Sequence, residues 1–176
     1  MPVLLAIAAA AAAVVFWMVR ARAAGQVATE LAGAAADVMN AARRFGFRRR
    51  ANEHPVEGIE QLELAIGSIA VAFVELHSLP TAEQHAAVVA ALGRHLTVPM
   101  AKAEEIMILG HWLIGQCNGP QPAIERLTKR LYRLDGQASL QPLMSVLKDI
   151  AAAGGGALSD RQKSALEDIA RHMRVR

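Results

Sequence analysis

Six histidines, one cysteine and sixteen carboxylates are the groups in this chain that could carry proton transfer, nucleophilic attack or metal ligation. His85 and His95 lie ten residues apart in one predicted helix. They therefore do not share a face as i, i+4 metal ligands do. His111 follows Gly110 in an apolar stretch and reads as a hydrogen-bonded core or boundary residue. The pair Glu104-Glu105 invites an acid/base reading. Adjacent helical residues point about 100° apart, and an acidic pair in a first helical turn is favoured by the helix dipole alone. Cys117, beside Gly119-Pro120, reads as a small buried hydrophobe and not as a thiolate. Gly154-Gly155-Gly156 lacks the Lys and Ser/Thr of a phosphate-binding loop, and the chain has no dinucleotide fingerprint and no nucleophile elbow. The expectation is a non-enzymatic protein with no cofactor and no catalytic residue.

The cations are more informative. Arg126, Lys129, Arg130 and Arg133 recur at spacings of three and four, which places them on one helical face. Such a stripe is either solvated or a docking face for an acidic partner. A second cluster runs Arg43-Arg44-Phe45-Gly46-Phe47-Arg48-Arg49-Arg50. Five Arg and two Phe in eight residues suit anionic lipid head groups, with Phe entering the interface, or an acidic patch on a partner. The net charge of +3 is unevenly spread. Arg20 to His54 carry seven Arg against three acids, whereas Pro55 onward carries twelve cations against thirteen acids. A near-neutral body argues against nucleic acid held over a broad basic face.

The element that must hold the arm is the N-terminal segment. Pro2 to Val19 is an eighteen-residue apolar run followed by Arg20 and Arg22. As a helix it rises about 27 Å, close to the roughly 30 Å of a hydrocarbon core. Phe16 and Trp17 sit where an aromatic belt lies, and the Arg residues after the span place the N-terminus outside and the rest in the cytoplasm. Ala21-Arg22-Ala23 resembles a signal-peptidase site, but the charge follows the apolar run where a signal peptide has it first. The span is rich in alanine (Ala6, Ala8 to Ala13), which allows close packing against another membrane helix. A single cysteine excludes an intrachain disulfide and fits a reducing compartment.

Three parts follow: a transmembrane anchor over 1–22, an amphipathic and basic juxtamembrane arm over 23–54, and a helical domain over 55–176. In the arm, Val27, Leu31, Ala35, Val38, Ala42 and Phe45 form one apolar stripe, predicting a helix from about Ala23 to Arg44. The domain reads as six helices: Val56–His77, Ala82–His95, Met100–Cys117, Pro122–Leu134, Leu140–Ala153 and Asp160–Met173. Thr81 and Ser159 are the expected N-caps, and Asn118-Gly119-Pro120, Asp135-Gly136 and Gly154-Gly155-Gly156 the breaks. No segment alternates with period two, so the fold class is all-α. Thr81-Ala82-Glu83-Gln84 returns 78 residues later as Ser159-Asp160-Arg161-Gln162, and Arg94-His95-Leu96 is echoed by Arg171-His172-Met173. The echoes suggest two related helical hairpins.

Arg48 to Pro55, the paired hairpins, Trp112 to Cys117 in the third helix, and the run from Val146 through Ser159 to Arg171 together resemble the TerB family of tellurite-resistance-like helical domains, over about Phe47 to Met173. The resemblance implies a TerB-like bundle and, in the family's manner, a metal-binding envelope-stress protein of bacteria. The family's proposed metal ligands are acids in its two hairpin loops. Here His77 and Gly154 stand at those positions, leaving Glu75, His77, Glu83 and Asp160 as the nearest candidate ligands. Without the family acids, the favoured expectation is an interaction or scaffold protein at the cytoplasmic face of the bacterial inner membrane. It would serve as an accessory subunit or assembly factor, with the lipid bilayer and other membrane subunits as partners and no nucleic acid.

Overall fold

The computed structural model describes residues 36–45, 53–77 and 80–174, and among them the secondary structure is entirely helical. Residues 36–44 are helical. The unit beginning at Asn40 is distinct from the one that ends at Met39. After residues 36–44, the described residues form six further α-helices: α1 (Leu62–Glu75), α2 (Ala82–Leu96), α3 (Met100–Gln116), α4 (Pro120–Asp135), α5 (Leu140–Ala153) and α6 (Asp160–Met173). The apolar span predicted over Pro2–Val19 lies outside the described residues. Among the described residues no helix is long and apolar enough to cross a membrane.

α1 is the centre. Every residue from Leu64 to Val74 is buried, as befits a helix that is apolar on all sides. α3 and α4 cover most of it, α2 and α5 cover the remainder, α2 lies along α5, and α6 packs on α4. α4 and α6 have strongly amphipathic sequences and bury only one face, with Ala123, Ile124, Leu127 and Leu131 inside from α4 and Ala165, Ile169 and Met173 from α6. The α1–α3 crossing is close because small residues line it. A Cβ on Gly67 would overlap Cγ2 of Ile106, and one on Gly110 would stand 3.1 Å from Cγ2 of Val71 and 3.3 Å from Cα of Ser68.

The two expected N-caps both form full capping boxes. Gln84 donates its N–H to Thr81 Oγ1 at 3.2 Å and accepts from the Thr81 N–H at 3.0 Å. Ser159 and Gln162 repeat this at 3.3 and 3.0 Å. Gln162 does more than its counterpart. It is buried, and its Nε2 donates to the carbonyl of Phe73 at 3.1 Å, tying α6 to the central helix.

Three expectations need correction. The predicted helix from Val56 to His77 is broken: Pro55–Gly58 is a 3₁₀ turn, Ile59 and Gln61 are extended, and α1 starts only at Leu62. Burying Ile59 completely and fixing its carbonyl from α4 requires that extended step. Glu104-Glu105 is not in a first turn, since α3 begins at Met100 and its first turn holds no acid. The helix dipole therefore does not explain the pair. Glu104 meets His85 of α2 at 2.8 Å, and Glu105 binds Arg44. α4 also begins at Pro120, two residues earlier than expected, with proline at the first helical position after Asn118 (φ 63°) and Gly119 (φ 125°).

Candidate functional site

The basic stripe of α4 does not act as one face. Arg130 turns inward, and its Nε and Nη2 both donate to the carbonyl oxygen of Ile59, at 2.7 and 2.5 Å. It is a clamp on the strand-like step before α1 and not a surface cation. Arg133 donates through Nη1 to Glu57 Oε2 at 2.6 Å, while Arg126 approaches Glu57 Oε1 only to 4.0 Å. Lys129 is exposed and has no ion-pair partner among the described residues.

Arg126, Lys129 and Arg133, but not Arg130, line an open cleft of about 460 Å³ between α4, the end of α3 and the 3₁₀ turn, with His54, Glu57, Cys117 and Asn118 opposite. His54 is fully committed. Its Nδ1 accepts from the Val56 N–H at 3.3 Å, and its Nε2 faces the carbonyl of Gln116 at 3.1 Å. Only the neutral ring with the proton on Nε2 satisfies both. His54 therefore pins the turn that presents Glu57, and it has no nitrogen left for acid/base work. Cys117 is 6% exposed, and burial pushes its thiol up against the smaller pull of Arg126. A neutral thiol is a poor nucleophile.

Elsewhere the titratable groups join helices to one another. His95 Nε2 meets Asp149 Oδ2 at 2.7 Å across α2 and α5, with Arg94 adding a contact at 3.0 Å. The His95 hydrogen bond, aided by Arg94, holds the Asp149 carboxyl below its usual range. His111 Nδ1 meets Glu75 Oε1 at 2.6 Å across α3 and α1, and Lys102 of α3 binds Glu63 of α1. Burial pushes Glu63 up, but the Lys102 hydrogen bond and charge, with a backbone hydrogen bond, hold it below its usual value. His172 turns its Nδ1 to the carbonyl of Asp168 at 2.8 Å.

The candidate metal ligands are not brought together. Glu75 is tied to His111, Asp160 is paired with Lys163 at 3.0 Å, and His77 and Glu83 are exposed. Among the described residues no group of three His, Cys, Asp or Glu could hold a metal ion. In the basic arm, Arg43 is exposed, Arg44 binds Glu105, and Phe45 is buried at 5% exposure. The Phe45 carbonyl accepts from Gln61 Nε2 at 3.2 Å, and the Lys102 ammonium sits 5.2 Å from its ring centroid. Phe45 therefore packs within the unit that begins at Asn40, with its ring buried beneath Lys102. Phe47, Arg48, Arg49 and Arg50 lie outside the described residues.

Sequence reasoning found the cations of the cleft but missed the residues facing them. Glu57 and His54 lie 62 to 76 positions from their partners on α3 and α4, and no local spacing signals such a pairing. A second concavity of about 590 Å³, mostly apolar, runs along α5 beside Phe73, Met144, Leu158 and Leu166. No protein-family model, no curated protein and no solved structure matches this chain.

Proposed function

We propose that this chain is a non-enzymatic interaction module, a TerB-like helical domain held at the cytoplasmic face of a bacterial inner membrane by an N-terminal anchor. In that setting it serves as an accessory subunit or assembly factor of a larger membrane complex. The observation that carries the reading is the division of labour among the charged groups. Three of the six histidines, His85, His95 and His111, are engaged with carboxylates in bridges between helices. Arg126 and Lys129 instead face an open cleft with no strong partner of their own. A surface so arranged favours recognition over chemistry. The apolar run Pro2–Val19 and the arginines after it support the anchor and its orientation, and the two matching capping-box hairpins support the family likeness.

Of the four candidate metal ligands, Glu75 and Asp160 are already paired, which favours recognition over metal binding. The test is native gel electrophoresis of gently solubilised membranes, with mass spectrometry of the band that holds this chain. Migration within a large assembly is expected. Migration alone, at the mass of the chain plus detergent, refutes the accessory-subunit reading.

A further inference from the structure

We propose that the α4 cleft binds an extended acidic segment of a partner protein through Arg126 and Lys129, and that Glu57 is an internal carboxylate occupying part of this site until the segment arrives. The inference deepens the interaction-module reading and rests on it.

Geometry motivates the choice of ligand. Arg126, Lys129 and Arg133 lie along one side of α4, and Arg126 and Arg133 are separated by about 10.5 Å of helix rise. An extended chain in the polyproline II conformation turns once in three residues, so residues three apart share a face and stand about 9 Å apart. Acids at every third position of an extended segment therefore match the ends of the cation row. Glu57 already shows what the row accepts, a carboxylate set between Arg133 at 2.6 Å and Arg126 at 4.0 Å. The longer contact leaves Arg126 weakly used, and Lys129 has no described partner. The turn carrying Glu57 is anchored independently, through His54 to Gln116 and through Arg130 to Ile59. Its side chain can therefore swing aside without loss of the fold.

Charge sets the class of partner. Glu57 and Glu125 line the cleft together with the three cations, leaving a small positive excess. Dense polyphosphate would meet those two carboxylates, whereas acids spaced by neutral residues need not. Pro122 and Asn118 on the cleft wall offer an apolar and an uncharged polar surface for the intervening residues. Sites of this kind act mainly through steering and register, and they weaken as salt rises.

The experiment uses the full chain in detergent micelles and a fluorescein-labelled Gly/Ser peptide carrying Glu at every third position, read by anisotropy. A peptide with Gln in place of Glu, and inorganic phosphate as competitor, are the controls. Binding of the Glu peptide that fades at high salt is expected, with no binding of the Gln peptide. R126E/K129E weakens it at least about tenfold, and E57Q strengthens it about two- to fivefold by removing the internal competitor. R126Q and K129Q serve as milder variants, and each variant must keep the parent's circular dichroism and melting temperature.

Binding insensitive to R126E/K129E, equal binding of the Gln peptide, or weaker binding in E57Q overturns the proposal. Displacement by phosphate with no Glu-peptide preference marks a small-anion site and also overturns it. Those failures leave the interaction-module reading to be decided separately by native migration.

Discussion

Replacing Gly67 with alanine tests the central packing of the fold. A Cβ at this position overlaps Cγ2 of Ile106 and stands 3.4 and 3.5 Å from the two δ-methyls of Leu92. Ile106 and Leu92 are both fully buried. Ile106 is β-branched in a helix, so its χ1 has essentially one setting and the methyl cannot rotate away. The remaining response is to push α3 off α1. Overpacking of this kind costs about 1–3 kcal/mol, while Gly to Ala in a helix interior returns about 1 kcal/mol. The net expectation is a loss of up to about 2 kcal/mol, or up to about 4–8 °C in melting temperature for a chain of this size. Thermal and urea unfolding of the detergent-solubilised chain by circular dichroism measures it. I106A removes the clashing methyl and by itself costs about 2–5 kcal/mol. Adding G67A to I106A should then be neutral or slightly stabilising, a coupling above about 1 kcal/mol. G110A is the graded companion, since its Cβ meets Val71 and Ser68 at 3.1 and 3.3 Å and should cost less. If G67A raises stability equally in both backgrounds, α1 and α3 do not approach as described.

Three further outcomes are expected. Thr128 is fully buried and its Oγ1 has no hydrogen-bond partner, so T128V should stabilise by about 1 kcal/mol through removal of an unsatisfied hydroxyl; a lower urea midpoint for T128V would contradict this. The folded Asp149 carboxyl titrates below its ordinary 3.8, so its contribution is complete above that pH and lost as pH falls through the lower folded value. D149N should therefore destabilise at neutral pH and flatten the acid-induced loss of stability, and an unchanged acid profile would exclude the His95–Asp149 linkage. Burial raises the Cys117 thiol above its ordinary 9.0, so its reaction with a thiol-specific dye at mildly alkaline pH should follow unfolding, with rates that climb with denaturant; immediate labelling of the native chain would show the thiol to be open.

Much of the fold was legible from local signals. The boundaries of α5 and α6, Leu140–Ala153 and Asp160–Met173, coincide with the sequence reading. A capping box is a contact between residues three apart, and its cost and benefit are settled within one turn. Thr81 with Gln84 and Ser159 with Gln162 therefore announce themselves in the sequence, as does the stop at Asn118-Gly119-Pro120, where two consecutive residues take positive φ. The all-helical class follows from hydrophobic pattern in the same way.

What the tertiary structure alone decided lies in contacts between distant parts of the chain. The period of three and four put Arg126, Lys129, Arg130 and Arg133 on one face, but periodicity says nothing of what stands opposite that face. Only packing could turn Arg130 into a clamp on the Ile59 carbonyl, join Arg133 to Glu57, and leave Arg126 and Lys129 toward the cleft. The same holds for Phe45, whose arginine neighbours suggest a lipid interface but whose ring is buried beneath Lys102. A side chain's partner across more than fifty residues of chain depends on how helices cross, and at α1 and α3 that crossing is set by Gly67 and Gly110. Sequence thus specified most of the helices and their caps, but not the 3₁₀ turn and extended step before α1. The meeting of faces, and with it the division between structural and available charge, arose from close packing in three dimensions.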